Sequence, residues 1–431
     1  MKLHPFLKQA AGVGGINLAD RVLAVVLGVV LARWLGVEQY GIYALVMAMV
    51  SLLLLLVRAG VPNLVMREVS ASRAHNPTAI ASKLIRRAET VVFFWGILVM
   101  LAADLVVMVI VQSPETRQAF FIGLLLLPLL ALQDIRAYSL RALGWVRTAQ
   151  ALVVLVPTIL VLAITSGVAL LFPGLAPGAL AARLGGVVVA AFFLLVVARR
   201  VFGRFEPVSN SFETSYRVMV RGAFPFMLIS AAAVIMARTD VVMLGVLAGT
   251  RDVGLYNAAL QGALLVSLIL NTSNTIVAPE FARLYAAGNR EALQRYAVFT
   301  ARSVALVALP VMAGLVVFGG SLLGLLFGTE FQEGATALSI LAVGYYTSLL
   351  FGAPGFLLNM TGHEKVAFRV VLTSTVLNII LNALLIPIFG MIGAALATSL
   401  ALNVQKALAA WFAYRALGVV TVCFSGRGNS Q

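Results

Sequence analysis

The sequence predicts an all-α integral membrane protein with about 12 transmembrane helices, in two six-helix lobes related by a parallel pseudo-repeat around a central cleft. Three observations support this fold class. The 431 residues are 61% hydrophobic and only 11% charged, which is too little charge for the surface of a soluble protein of this length. Apolar runs of about 20 residues recur along the chain, and this is the length that crosses a bilayer. Short sequence matches also recur at a nearly constant offset.

Twelve apolar runs are predicted as membrane spans. Their predicted limits are 10–32, 40–66, 88–111, 119–138, 150–172, 176–198, 222–248, 253–278, 297–319, 334–360, 366–387 and 390–414. The FPGLAP turn separates spans 5 and 6, and proline and glycine favour tight turns of this kind. The long loop at 279–296 is predicted as two interfacial helices broken at Gly288-Asn289.

Basic residues in the short loops predict the orientation of the chain. The formal charge is +15, and most of the 31 lysines and arginines lie in one alternate set of loops and at the termini. The opposite loops hold Arg33, Arg117 and Arg251. Both termini are therefore predicted on the cytoplasmic side. Because the positive charge follows topology, it does not indicate a nucleic-acid partner.

Motifs of common enzyme classes do not occur in the sequence. Cys423 is the single cysteine, which excludes an intrachain disulfide and disfavours a metal cluster. There is no phosphate-binding loop, no HExxH motif and no GxSxG motif. The N-terminal segment lacks a compact apolar region followed by a cleavage site, so we expect a retained first span. These features predict a carrier without a bound cofactor.

Three sequence matches at offsets near one value predict a duplicated six-helix unit. The pairs are LGVEQYGIY from Leu35 with AGTRDVGLY from Ala248, LRALGWVRTA from Leu140 with LNMTGHEKVA from Leu358, and GALAARL from Gly178 with AALATSL from Ala394. Chance similarity in apolar sequence is the alternative. The predicted organisation is an N-terminal six-helix lobe at 1–205, a cytoplasmic linker at 206–221 and a C-terminal six-helix lobe at 222–431. An even number of spans gives both copies the same orientation.

Charged residues inside the predicted spans are candidates for substrate and ion binding, because a charge in the bilayer core is costly. The guanidinium group of arginine matches phosphate oxygens and stays protonated. The candidate cationic residues are Arg21, Arg58, Arg183 and Arg238. The candidate residues for coupling to H⁺ or Na⁺ are Asp20, Asp104 and Asp240. For each of them the alternative is an ion pair that fixes helix packing.

Amide side chains follow several predicted spans at helical spacings. The selected residues are Asn17, Asn257, Gln261, Asn271, Asn274 and Asn378. A stripe of amides suits a polar cleft that hydrogen-bonds sugar hydroxyls. The alternative is that these amides join neighbouring helices in lipid.

Four segments resemble one family of membrane carriers. They are ARWLGVEQYGIYALVMAMVSLL, ARTDVVMLGVLAGTRDVGLYNAALQ, PEFARLYAAGNREAL and LNMTGHEKVAFRVVLTSTVLNIILNALLIPIFGMIGAALATSLA. In order and spacing they resemble the bacterial polysaccharide-biosynthesis flippases of O-antigen and capsule type, within the multidrug/oligosaccharidyl-lipid/polysaccharide exporter superfamily. The resemblance covers essentially the whole chain.

The resemblance implies alternating access and a central cationic cavity. The implied substrate is an oligosaccharide on undecaprenyl pyrophosphate, moved from the cytoplasmic to the outer leaflet of the bacterial cytoplasmic (inner) membrane. Membrane lipids surround such a carrier, and a polysaccharide polymerase and glycosyltransferases are the implied partners. Related sequences often have an acidic residue near the end of span 2, where this chain has Arg58. This difference makes the inner part of the cleft more cationic.

Three alternative functions remain at the level of sequence. A carrier of the peptidoglycan lipid precursor commonly has two further C-terminal spans, and this chain stops soon after span 12. An ion-coupled multidrug exporter with a cationic substrate should have a net acidic cavity. A membrane scaffold for glycan-synthesis enzymes has little reason to keep charges inside its spans.

Overall fold

The computed structural model describes residues 3–72, 79–172, 174–202 and 216–424, and they form an all-helical chain. The helices of the first half are α1 (Leu3–Arg58), α2 (Val61–Ser72), α3 (Ala79–Ile110), α4 (Pro114–Leu124), α5 (Leu126–Ala142), α6 (Val146–Gln150), α7 (Val156–Leu171) and α8 (Ala176–Phe202). Those of the second half are α9 (Tyr216–Leu247), α10 (Thr250–Ala286), α11 (Arg290–Phe327), α12 (Ala335–Leu349), α13 (Pro354–Met360) and α14 (Glu364–Leu417). A π-helical segment (Ala151–Leu155) precedes α7, and a 3₁₀ helix (Thr329–Gly334) precedes α12.

The apolar helices identify an integral membrane protein. Within the described residues, eight helices are long and apolar enough to cross a membrane, or nine if the bent pair Thr329–Leu349 and Pro354–Met360 is one span. Two of the helices contain a glycine with a non-helical backbone, Gly36 in α1 and Gly390 in α14. The all-α membrane fold class is confirmed. The finer arrangement of twelve spans in two lobes around a cleft stays a prediction.

The chain divides into two compact units, Met1–Val234 and Ile235–Gln431, and the boundary falls within α9. We call them the N-unit and the C-unit. Residues 206–215 of the predicted linker lie outside the described part of the chain. The predicted division at 206–221 therefore stays a prediction.

Helix α1 ends at Arg58, before the predicted limit of span 2 at residue 66. Ala59 and Gly60 both have positive φ, 43° and 76°, and α2 begins at Val61. Two left-handed residues interrupt the helical hydrogen bonds and redirect the chain. Arg58 consequently lies in the last helical turn, where a cation interacts favourably with the helix dipole.

Close packing accompanies the bend of α1 at Gly36, whose backbone has φ 71° and ψ 176°. The indole N–H of Trp34 donates a hydrogen bond to the carbonyl of Phe172 at 3.1 Å. A Cβ atom built on Gly174 would lie 1.7 Å from the carbonyl oxygen of Trp34. Only glycine at position 174 therefore allows the chain to approach α1 this closely.

A carboxylate caps the bend of α14 in the C-unit. Gly390 has φ 54° and ψ −130°, and Oδ2 of Asp252 accepts a hydrogen bond from the backbone N–H of Met391 at 3.0 Å. An acceptor at this place satisfies a backbone donor that the bend removes from the helical ladder. A Cβ atom on Gly390 would lie 2.5 Å from that carboxylate oxygen, so a side chain here would displace the cap.

Glycines of the predicted repeat have equivalent backbone conformations. Gly36 has φ 71° and ψ 176°, and its counterpart Gly249 has φ 100° and ψ 173°. Gly144 and Gly362, which belong to the second match, have φ 92° and 80°. Because positive φ favours glycine, the two copies share a backbone conformation at these positions as well as the residue type. This agreement supports the predicted duplication.

The junction of α10 and α11 confirms the predicted break at Gly288-Asn289, but the residues around it are the ends of these two long helices rather than two separate short helices. Gly288 has φ 67°, and the side chain of Asn289 accepts a hydrogen bond from the backbone N–H of Ala292 at 2.9 Å. Glycine provides the left-handed turn, and asparagine caps the helix that follows.

The segment Gly418–Phe424, which follows α14, packs against α11 as a non-helical strap. Val420 exchanges two hydrogen bonds with the side chain of Gln294, at 2.6 and 2.7 Å. Nε of Arg302 donates to the carbonyl of Cys423 at 2.8 Å. Cys423 is buried in this contact.

Candidate functional site

An ion pair in the N-unit joins the end of α1 to α5. Nη2 of Arg58 contacts Oδ2 of Asp134. The Arg58 side chain is 37% exposed and that of Asp134 is 14% exposed, so the pair lies at the edge of the packed interior. Arg58 is the candidate arginine that sequence analysis placed in span 2. Its partner Asp134 lies inside predicted span 4 but was not selected.

A small cavity of about 70 Å³ opens beside this pair. Arg58, Asn63, Asp134 and Tyr138 contribute its polar lining. Nε of Arg58 is buried and has no hydrogen-bond partner within the described residues. The cavity thus combines a cationic side chain with an unsatisfied N–H donor and room for about two water molecules.

A polar network extends from the cavity along α5 to α6 and α1. The guanidinium of Arg141 lies over the ring of Tyr138 at 4.9 Å, and its positive charge acts on Asp134. Nη2 of Arg141 donates to Gln150 at 2.8 Å, and Gln150 donates to Asn17 at 2.6 Å. The structure therefore brings candidates Arg58 and Asn17 into one network through residues that were not selected from sequence.

The other N-unit candidates lie outside this network of contacts. Asp20 accepts a hydrogen bond from Thr158 at 2.6 Å, and the neighbouring Arg21 is exposed. Asp104 is partly buried in α3, and its Oδ1 atom has no hydrogen-bond partner among the described residues. The depth of a charge in a span therefore did not reveal which charges meet.

Tyrosines of the predicted repeat bind corresponding regions in the two units. Nη1 of Arg183 donates to the hydroxyl of Tyr43 at 2.8 Å in the N-unit. The hydroxyl of Tyr256, the counterpart of Tyr43, donates to Asp240 at 2.5 Å and lies 3.2 Å from Thr398. Arg183 and Thr398 lie in GALAARL and AALATSL, which form the third sequence match. The same tyrosine position thus contacts the same predicted repeat segment in each unit.

Asp240 is the most enclosed of the candidate carboxylates, since it is 2% exposed. Its Oδ1 accepts from the backbone N–H of Val241 at 2.8 Å, and its Oδ2 also accepts from Thr398 at 3.3 Å. Both oxygens are therefore satisfied by protein donors, as buried carboxylates require. Arg238 is exposed and acts electrostatically on Asp240.

The amide candidates of the C-unit differ in their surroundings. Asn378 is fully buried, and the side chain of Asn382 donates to its carbonyl and side-chain oxygens at 2.9 and 3.1 Å. Asn257 and Gln261 are partly buried and both interact with other residues. The side chains of two further candidates, Asn271 and Asn274, lie outside the described residues.

Sequence analysis overlooked charged residues that lie within its own span limits. Arg136 is two residues from Asp134 on α5, and its Nε donates to Glu89 of α3 at 2.6 Å. Lys406 lies inside predicted span 12 and is partly buried. A complete list of charges within the predicted limits would have found these residues and Asp134.

Comparison with known protein families and curated relatives gives two family matches and several distant relatives. Residues 6–285 match the model of the family described as polysaccharide biosynthesis protein, and residues 225–384 match the MatE family. The probable low-salt glycan biosynthesis flippase Agl15 of Haloferax volcanii is 27% identical over 173 residues, which are 40% of this chain and 37% of that protein. The chain matches less than half the length of each of three curated relatives.

Two solved structures share the fold at low sequence identity. An inward-facing multidrug resistance MATE family transporter of the MOP superfamily is 15% identical, with 93% of this chain and 94% of that chain covered and a TM-score of 0.71. The lipid II flippase MurJ, in an inward closed conformation, is 15% identical, with 92% and 87% covered and a TM-score of 0.73. These neighbours are named as transporters and flippases rather than enzymes. The solved structures show that the chain has the fold of MOP superfamily transporters. Because the first family model covers well over half of the residues of this chain, the chain belongs to the polysaccharide biosynthesis protein family.

Proposed function

We propose that this protein is a flippase that moves an oligosaccharide linked to undecaprenyl pyrophosphate from the cytoplasmic to the outer leaflet, by alternating access. The observation that carries the proposal is Arg58, an arginine at the end of a long apolar helix and beside a cavity, with a buried N–H that lacks an acceptor among the described residues. A guanidinium group in such surroundings suits a phosphate-bearing substrate. Membership of a polysaccharide biosynthesis family and the likeness to a named glycan flippase support the same substrate class.

The proposed localisation is the bacterial cytoplasmic (inner) membrane, with both termini on the cytoplasmic side. Lysines and arginines in alternate loops support this orientation. The substrate would then arrive from glycosyltransferases on the cytoplasmic side and pass to a polymerase on the other side.

Arginines and amides have separate roles in this proposal. Arg58 binds the pyrophosphate, and Arg21 and Arg238, which are exposed side chains on apolar helices, provide further positive charge. Amides such as Asn17 and Asn257 hydrogen-bond the sugars. The isoprenoid tail stays in the lipid, because its burial in a polar cleft would forfeit hydrophobic stabilisation.

Coupling to H⁺ or Na⁺ is the proposed source of energy. Asp104 has a buried carboxylate oxygen without a partner among the described residues, so it has a free position for a proton or a cation. Asp20 accepts a hydrogen bond from the hydroxyl of Thr158 at 2.6 Å. Asp240 already accepts three hydrogen bonds, so a cation there would have to replace protein donors.

Reconstitution in liposomes tests the proposed function directly. Purified protein should accelerate the transfer of a labelled isoprenoid-pyrophosphate oligosaccharide between leaflets, and Arg58→Gln should lower the rate at least tenfold. Arg251→Gln is the matched control, because Arg251 forms an exposed ion pair with Glu333 at 2.8 Å. Transfer at the rate of protein-free liposomes would exclude a carrier and favour a scaffold. Preference for a peptidoglycan precursor or a cationic drug would identify the corresponding alternative.

A further inference from the structure

The ion pair between Arg58 and Asp134 is more exposed on one side than on the other. With side chains 37% and 14% exposed, the pair is reached by solvent on the arginine side. Arg58 is the more exposed partner, so an anion in the cavity can approach its guanidinium group, whereas Oδ2 of Asp134 is buried. An anion that binds arginine more strongly than one carboxylate oxygen can therefore displace Asp134.

One edge of the Arg58 guanidinium has the geometry for such an anion. Nη2 is the atom that contacts Asp134, and Nε has no acceptor among the described residues. The two nitrogens can donate side by side to two oxygens of one phosphate group. The side chain of Asn63 lines the same cavity and adds a polar group from α2.

The surroundings of Asp134 allow it to release Arg58 without leaving a buried charge alone. The positive charge of Arg141 acts on Asp134 from the same helix. Helix α5 packs along α3, and the separate ion pair between Arg136 and Glu89, at 2.6 Å, adds to this packing. Loss of the contact with Arg58 would therefore leave the helix in place, with the positive charge of Arg141 still acting on Asp134.

We propose that Asp134 is a displaceable counter-ion. It pairs with Arg58 before the substrate binds, and a phosphate group of the substrate then replaces it as the partner of Arg58. The identity of the ligand rests on the proposed function, whereas the exchange itself rests on the geometry of the cavity. Asp134 is a positioning and specificity-determining residue in this account. It rejects weakly bound anions that cannot compete with its carboxylate.

Binding of inorganic pyrophosphate to the purified protein in detergent tests the exchange. Asp134→Asn removes the competing charge with little change in shape, so Kd should fall about tenfold. Adding Arg58→Gln to Asp134→Asn should abolish the gain. Glu89→Gln is the matched control, because it breaks the other ion pair of α5 and should leave Kd unchanged. An unchanged or higher Kd for folded Asp134→Asn, or an equal gain for Glu89→Gln, would overturn the proposal.

A second measurement uses the unmodified protein and so does not depend on folding of the variants. Phenylglyoxal modifies accessible arginines, and mass spectrometry identifies which ones react. Pyrophosphate should protect Arg58 and leave the modification of Arg136 unchanged. Modification of Arg58 at the same rate with and without saturating pyrophosphate would show that the anion does not bind there.

Comparison of two probes identifies the source of the phosphate. Farnesyl pyrophosphate that binds more tightly than inorganic pyrophosphate, with the same dependence on Asp134, indicates a lipid headgroup. Equal affinities indicate a free anion, and both results retain the exchange at Arg58. These binding measurements require no translocation, so their failure is distinguishable from failure of lipid transfer in liposomes.

Discussion

The hydrogen bond between Tyr256 and Asp240 should be one of the main stabilising contacts of the C-unit. Tyr256→Phe removes a donor 2.5 Å from Oδ2 of a carboxylate that is 2% exposed. Tyr256 itself is fully buried, so water does not replace the missing hydroxyl. Asp240 would keep the donors Val241, at 2.8 Å, and Thr398, at 3.3 Å.

The expected cost of Tyr256→Phe is about 2 kcal/mol in the free energy of unfolding, because hydrogen bonds to charged groups contribute roughly 1.5–3 kcal/mol. This corresponds to a change of about 30-fold in the folding equilibrium. In an Asp240→Asn background the same substitution should cost about 1 kcal/mol less, since the charged acceptor is already absent. The double-mutant cycle therefore isolates the contact from general effects of losing a hydroxyl.

Reversible unfolding of the purified protein in mixed detergent micelles measures these free energies. Tyr345→Phe is the matched control. The charge of Asp240 acts on Tyr345, but the hydroxyl of Tyr345 makes no hydrogen bond among the described residues. That control should cost less than about 0.5 kcal/mol. A coupling near zero between Tyr256→Phe and Asp240→Asn, or an equal cost for Tyr345→Phe, would refute the reasoning.

Three further predictions concern close packing and the C-terminal strap. Gly174→Ala should lower the free energy of unfolding by about 1–3 kcal/mol, because its Cβ would lie 1.7 Å from the Trp34 carbonyl oxygen. Gly167→Ala is the control, since a Cβ atom at Gly167 meets open space and should not lower the stability. Equal thermal stability of the two variants would contradict this prediction. Gln294→Ala should accelerate maleimide labelling of Cys423 severalfold in the folded protein, since it removes two hydrogen bonds that hold the strap; an unchanged rate would show that the strap is held by other contacts. Burial raises the pKa of the Cys423 thiol. The rate of maleimide labelling of Cys423 should therefore keep rising with pH beyond the pH at which the labelling rate of a free thiol becomes constant. The same pH profile for folded and denatured protein would contradict this prediction.

Several features of the fold follow from local sequence alone. Apolar runs predict membrane helices because the bilayer leaves the backbone no other partners than its own. The repeat aligns Gly36 with Gly249, and both have positive φ, while Gly288-Asn289 predicts a helix break that the structure contains. Each of these features depends on a few neighbouring residues, so the sequence carries the necessary information.

The candidate site shows where local reasoning stops. Arg58 was selected for its depth in span 2, yet α1 ends at that residue and its partner is Asp134 on another helix. Asn17 was selected for a polar stripe, yet its contact is Gln150, which belongs to α6. Sequence spacing indicates which residues share one helix face, but it does not specify which faces of different helices meet.

Local sequence was enough to predict a helical membrane protein and several of its helix breaks, because hydrophobicity and glycine backbone preferences act over short stretches. The packing of the helices, which local sequence does not specify, pairs Asp134 with Arg58 and lets the hydroxyl of Tyr256 donate a hydrogen bond to Asp240. A charge in an apolar setting requires a partner, and the identity of that partner depends on contacts between helices that are distant in sequence.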